Sequence, residues 1–343
     1  MQHEIKKQTS LLDQNGNLTE PGFAKHMLFS YRRDDIKAPK ALVKEWDYYY
    51  VGNDRYGVAL TIADNGYMGL DSVTFLDFRE RWQITKSQMR LLPLGRTGLP
   101  DTPDRDADTV SQGRQHSLSF RREKDRRILR FKMQRFQGEA LIAGELILTQ
   151  EPEESMVIAT PFQKPGRFYL NQKINCMRAE GFVQVGPQYC EFRPEDTFAV
   201  LDWGRGVWTY HNTWYWSSLS AQLGGIPFGF NLGYGFGDTA AATENMLFFG
   251  GKAHKLGNVV FEIPARDGKA DYLSPWKFHD GDHRLAMDFV PILDRAACTD
   301  FGVLKSDQHQ VFGRFSGRAV LDDGTALSFR DLIGFAEQVE NKW

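Results

Sequence analysis

Apolar and polar positions along this chain alternate with a period of two far more often than they recur at the helical spacing, which predicts strands. The segment VALTIADNGYMGLDSVTF sets Asn65-Gly66 between two runs rich in Val, Ile, Thr and aromatic residues. KFHDGDHRLAMDFVPI and GRAVLDDGTALSFRDLI repeat the design around Asp280-Gly281 and Asp323-Gly324, and Asn15-Gly16 and Asp267-Gly268 add two more such pairs. These dipeptides accept the positive φ angles of a tight hairpin turn. Helical periodicity is confined to two short stretches, Gly22 to Phe29 and Phe329 to Val339. The pattern therefore predicts an all-β chain with one or two short helices.

The strands come in two sets of the same order: an aromatic strand, a Gly-containing hairpin, a charged hairpin, closing strands. Trp46 would correspond to Trp214, and Tyr56-Gly57 to Phe228-Gly229, about 170 residues apart. The acidic, Pro-containing segment 151–155 separates two apolar runs and sets the expected boundary between a first unit, 1–155, and a second, 156–343. Meanders of about eight strands tend to close, because closure removes unpaired edges. The expected architecture is two antiparallel β-barrels in tandem, or two strongly bent β-sandwiches.

Composition narrows the function. The 343 residues carry 42 Lys plus Arg against 44 Asp plus Glu, a net charge of −2 that argues against a nucleic-acid partner. No apolar leader and no run long enough to span a bilayer is visible, so a cytoplasmic protein without stable membrane insertion is the expectation. Cys176, Cys190 and Cys298 are too few and scattered for a disulfide scaffold or a zinc site. His279 and His283 flank a hairpin turn rather than one helix face, so neither a metal nor a cofactor is expected. The polar stretch 95–114 has no periodicity and reads as a long mobile connection. Arg121 to Arg127 reads as a charged hairpin tip.

Aromatic residues are abundant, with 25 Phe, 12 Tyr and 8 Trp. They concentrate in DWGRGVWTYHNTWYW. If Val207 to Trp216 is one strand, Trp208, Tyr210, Asn212, Trp214 and Trp216 share a face. Such a wall suits an apolar ligand, or a cation held on π faces; it equally suits a core. In GFNLGYGFGD, Gly229, Gly233, Gly235 and Gly237 would strip one strand face of side chains and leave a cavity floor. Gly233 and Gly235 thus join the wall as candidate ligand-binding residues. Asp202, Asp238 and Glu244 are the candidate proton donors, provided burial raises their pKa. Asp202 and Arg205 bracket Gly204 and Gly206, and an ion pair between them would pin a bend.

Five separated segments, NQKINCMRAEG, DWGRGVWTYHNTWYW, NLGYGFGD, TENMLFFGGKAHKL and VFGRFSGRAVLDDGTALSFRDLIGFAEQVENKW, together resemble the uncharacterised bacterial domain-of-unknown-function family twenty-eight-oh-four. The resemblance covers most of the chain and is strongest from Asn171 onward. It implies membership of the lipocalin-like (calycin) group, which includes tandem-barrel carotenoid hydratases, tocopherol cyclase and lipocalin-like cyclases of natural products. It firms the fold to two lipocalin-like barrels and carries no catalytic residues with it.

Three readings follow. The first is binding of an apolar small molecule, a lipid, isoprenoid or pigment, in an aromatic-lined cavity. The second is a hydratase or cyclase that protonates an isoprenoid-like or polyketide-like substrate from a buried carboxylic acid. The third is a structural or interaction protein whose aromatic residues serve only the contact between barrels.

Overall fold

The computed structural model describes residues 2–300 and 305–342. Two large antiparallel sheets carry the chain. The first is built on β1 (Lys44–Gly52), β2 (Tyr56–Asp64), β3 (Met68–Asp77), β4 (Trp82–Leu91), β5 (Ala107–Gln112), β6 (His116–Glu123), β7 (Arg126–Gln137), β8 (Ala140–Thr149), β9 (Phe168–Val185) and β10 (Phe198–Val207). The second comprises β11 (His211–Leu223), β12 (Ile226–Tyr234), β13 (Met246–Phe249), β14 (Lys252–Lys255), β15 (Val259–Glu262), β16 (Trp276–Asp280), β17 (Leu285–Asp300), β18 (Lys305–Val320) and β19 (Ala326–Lys342).

Both sheets follow one plan. In the first, the spatial order is β4-β3-β2-β1-β10-β9-β8-β7-β6-β5; in the second it is β14-β13-β12-β11-β19-β18-β17-β16-β15. Each runs as a meander whose last strand returns beside its first, β10 on β1 and β19 on β11. Each leaves its seam at the matching place, after the fourth strand. The sheets are therefore curled half-barrels in tandem, and the shared topology supports the duplication read from the sequence.

The boundary does not fall near residues 151–155. Met156–Pro161, Gln188–Phe192, β9 and β10 all hydrogen-bond into the first sheet, and the sheets divide between Val207 and His211. Neither expected helix forms. Gly22–Ala24 pairs with Met156–Pro161, and Phe329 to Val339 lies within β19, paired on both sides by β11 and β18. A bulge explains the misleading spacing: Asp331 takes φ 54°, the register against β18 slips between Phe315 and Gly317, and the break in alternation imitates a helix. Among the described residues the helical elements are two short 3-10 turns, Arg33–Asp35 and Lys40–Leu42. Among the described residues no helix is long and apolar enough to cross a membrane.

Each sheet fills its own concave side, the first around Phe75, Phe131 and Trp203, the second around Phe230, Trp276 and Phe315. Two further apolar clusters join the sheets. Tyr48, Tyr50 and Phe78 meet Trp216, Phe312 and Phe335; Tyr169 and Met156 meet Trp208, Phe236 and Phe248. Segment 95–114 is pinned rather than free. Buried Arg205 and Arg127 donate to the carbonyls of Pro100 and Pro103, and the segment continues into β5.

Candidate functional site

Cross-strand register lays down two facing rows of polar and aromatic side chains. In the first sheet, Tyr48 of β1, Asp202 of β10 and Lys173 of β9 are direct neighbours. In the second, Gly233, Trp216, Glu337, Gln310 and Arg295 line up across β12, β11, β19, β18 and β17. The rows meet between the sheets. The Lys173 ammonium sits 3.9 Å above the Trp216 ring, and the Tyr48 ring packs against it at 5.9 Å.

The centre of this junction is charged. Lys173 Nζ is 2.9 Å from Asp202 Oδ1, which also accepts a 2.6 Å hydrogen bond from Asn171 Nδ2. Glu337 is buried, and its carboxylate accepts from Trp214 Nε1 at 2.9 Å and from Gln310 Nε2 at 3.0 Å. Arg295 donates to the Gln310 carbonyl oxygen and so fixes the amide with its NH2 towards Glu337. Burial pushes the Glu337 pKa up to about 7, against the opposing pull of the Trp214 hydrogen bond and Lys173. Glu244 is held by the same surroundings. Its carboxyl lies against Gly233, its backbone carbonyl accepts from Asn231 Nδ2 at 2.8 Å, and burial raises its pKa while Lys173 opposes. Asn231 Oδ1 in turn accepts from Trp216 Nε1 at 2.7 Å. Lys173 and Arg295 thus face three carboxyl groups at the junction, Asp202 and Glu337 buried and Glu244 half-buried.

Of the three proposed proton donors, the structure brings Asp202 and Glu244 into this site and leaves Asp238 outside. Asp238 is exposed and accepts from the Ala240 backbone N–H, the role of a turn cap. Asp202 does not pair with Arg205. The latter bonds Asp47 at 3.0 Å on the opposite face of β10, because successive strand residues alternate sides.

The aromatic wall is not one strand face. β10 ends at Val207 and β11 begins at His211, so Trp208 and Tyr210 lie in the connection. Tyr210 is exposed and Asn212 bonds Thr209. Trp208 and Trp214 pack on Phe236 at 5.3 and 5.4 Å, and Trp216 packs on Phe335 at 4.8 Å. The glycine face is likewise occupied rather than hollow. β12 ends at Tyr234, so Gly235 and Gly237 lie beyond it; Gly233 faces Glu244, and Gly229 faces the Leu219 carbonyl and Cys176. Cavities of about 20 Å³, lined by Asp47, Tyr49, Arg127 and Trp203, and about 10 Å³, lined by Tyr50, Ser218 and Phe335, are each no larger than about one water. Neither touches Trp208, Trp214 or Trp216.

Lys173, Glu337, Gln310 and Arg295 are site residues that the sequence reading missed. His279 pairs with Glu262 at 3.2 Å, and among the described residues no group of three or more His, Cys, Asp or Glu is placed to hold a metal ion.

Fold and site together describe a tandem lipocalin-like half-barrel protein with a charged cluster at the sheet junction. The chain belongs to the family described as Domain of unknown function (DUF2804), whose model matches residues 2–343. No curated protein matches the sequence. Solved structures share the fold at low identity. A protein of Nitrosomonas europaea titled a putative AttH is 13% identical with a TM-score of 0.55, covering 90% of this chain and 96% of that one. CghA is 11% identical with a TM-score of 0.50, covering 98% and 97%. Kievitone hydratase from Nectria haematococca is 11% identical with a TM-score of 0.48, covering 90% and 91%.

Proposed function

We propose that this chain is an enzyme that protonates an unsaturated, largely apolar small molecule, as a hydratase or a cyclase does, at the acid cluster between the sheets. The observation that carries the reading is Glu337, a buried carboxyl gripped by Trp214 and Gln310 beside the Lys173–Asp202 pair. A carboxylic acid that keeps its proton near neutrality can give it to carbon, and an ion-paired carboxylate close by can take one back. In the forward step the O–H bond of Glu337 breaks while the π pair of the substrate forms a new C–H bond. The positive charge left on the adjacent carbon faces aromatic rings of the kind that already hold the Lys173 ammonium. For hydration, water adds to that carbon and passes its proton to Asp202. For cyclisation, a second π bond of the substrate adds instead, and a neighbouring C–H returns its proton to Glu337. Glu244 stands as the second acid.

Carriage of an apolar ligand without chemistry gives no role to three carboxyl groups gathered at one junction. A purely structural role has one observation in its favour, the packing of Trp208 and Trp216 into the clusters that join the sheets.

The test is incubation of the full chain in D2O with a panel of aryl alkenes and conjugated polyenes, α-methylstyrene first, reading carbon-bound deuterium by mass spectrometry. Protein-dependent labelling is expected, reduced roughly 100-fold or more by Glu337→Gln. No labelling across the panel, or labelling that Glu337→Gln leaves intact, contradicts the proposal.

A further inference from the structure

The segment from Gly235 to Asn245 has no regular structure and crosses the edge of the junction. Its one aromatic side chain, Phe236, turns inward from a backbone whose flanking glycines are exposed and adopt φ 92° (Gly235) and 75° (Gly237). The phenyl ring enters a box of four aromatic rings: Tyr169 at 4.9 Å, Phe162 at 5.1 Å, Trp208 at 5.3 Å and Trp214 at 5.4 Å, with interplanar angles of 71 to 89°. Trp214 forms one wall of the box, and its indole N–H donates to Glu337. The ring site and the buried acid thus share one indole.

We infer that this box is a subsite for a flat ring of the substrate, and that the Phe236 phenyl group occupies it until a substrate ring displaces it. The class implied is a small molecule with a flat six-membered aromatic or conjugated ring and the reacting double bond next to that ring. Edge-to-face contacts read the negative face and positive edge of a π system, which a saturated ring or flexible chain lacks. A substrate ring would take over the contacts of Phe236 one for one, so displacement loses little. A phenylalanine anchored in a strand could not leave without breaking a ladder. Phe236 is held through its short segment, where Asp238 N donates to the Pro161 carbonyl at 2.8 Å. The inference rests on the acid reading of Glu337 only for where the reacting bond lies; the ring subsite stands or falls on binding.

The experiment places 4-fluorophenylalanine at position 236 of the full chain and follows its fluorine resonance on titration with 3-phenylpropan-1-ol or 3-cyclohexylpropan-1-ol. The phenyl compound is expected to move the resonance to its solvent-exposed position at an about tenfold lower concentration than the cyclohexyl compound. A resonance that stays buried at saturation, or equal response to both compounds, overturns the inference. Phe236→Gly removes the occupant, and calorimetry should show about tenfold tighter binding of 3-phenylpropan-1-ol than to the unaltered chain; unchanged affinity in a folded variant overturns it too. Adding Glu337→Gln separates the two proposals. A fluorine response that survives while deuterium transfer is lost supports both, and transfer without any fluorine response removes the ring subsite alone.

Discussion

Gly233 and Glu244 fit together because one of them has no side chain. A Cβ at position 233 would lie 2.7 Å from Glu244 Cδ, so the carboxyl end of that side chain would have to move. The bare strand position makes room for a carboxyl group, and the lining of the junction at this point is acidic rather than hollow. Gly233→Ala should push the Glu244 carboxyl out of place at a cost of up to about 1 kcal/mol, the low end for overpacking because a flexible side chain yields. Urea denaturation measures the loss, and deuterium transfer should fall with it. An alanine variant with both stability and deuterium transfer unchanged would contradict the contact.

Lys173 and Asp202 are tested by breaking the pair once and then removing it whole. Lys173→Met leaves a buried carboxylate without its cation, a loss of about 3–5 kcal/mol. The double variant with Asp202→Asn should recover most of it, because neither charge is then buried alone. Stability measured across the four-member cycle checks the coupling, and simple additivity would contradict it.

The raised pKa of Glu337 has a signed consequence for stability. Its folded pKa, about 7, exceeds the ordinary value of 4.5, so between these the folded chain holds a proton that the unfolded chain has released. This group therefore favours folding below the unfolded value and loses that contribution as pH rises towards 7. The change is about 3 kcal/mol at most. Lys44 and Lys255 act in a higher window: burial lowers each to about 7 from 10.5, so both add stability as pH climbs above 7. Melting curves of the unaltered chain and Glu337→Gln should diverge between pH 4.5 and 7, the variant being the flatter. Parallel curves would contradict the assignment.

Asn175 ties the sheets together at the β9 bulge. Its amide donates to Ser218 Oγ at 2.8 Å, the Phe230 carbonyl at 3.2 Å and the Leu219 carbonyl at 3.3 Å, all in the second sheet. Asn175→Ala should cost about 1–3 kcal/mol. Hydrogen exchange should speed at β11 and β12 before it does at β7 and β8. Uniform acceleration across both sheets would contradict a local tie.

Much of the architecture was legible because turns and alternation are local. The Asn65-Gly66 hairpin and the paired aromatic strands that open each sheet are examples. The boundary was not legible, because β10 returns across more than a hundred residues to pair with β1 and carries β9 beside it, and no local signal announces such a return. Lys173 escaped for a related reason. Asn171, Lys173 and Asn175 alternate along β9 like a solvent face, yet that face is covered by the second sheet. Glu337 was hidden by the bulge at Asp331, which made its strand resemble a helix. Asp202 and Glu244 flank the aromatic and glycine-rich segments in sequence and also lie at the junction in space. Asp238 shares that neighbourhood in sequence only; its turn points it to solvent.

The central claim is that Glu337 carries a proton inside the folded chain near neutrality. Difference infrared spectroscopy of the unaltered protein against Glu337→Gln observes that proton through the carbonyl stretch of a buried carboxylic acid. The account predicts a band present below neutrality, titrating away near pH 7 and absent from the variant. Identical spectra for the two proteins across that range would contradict it.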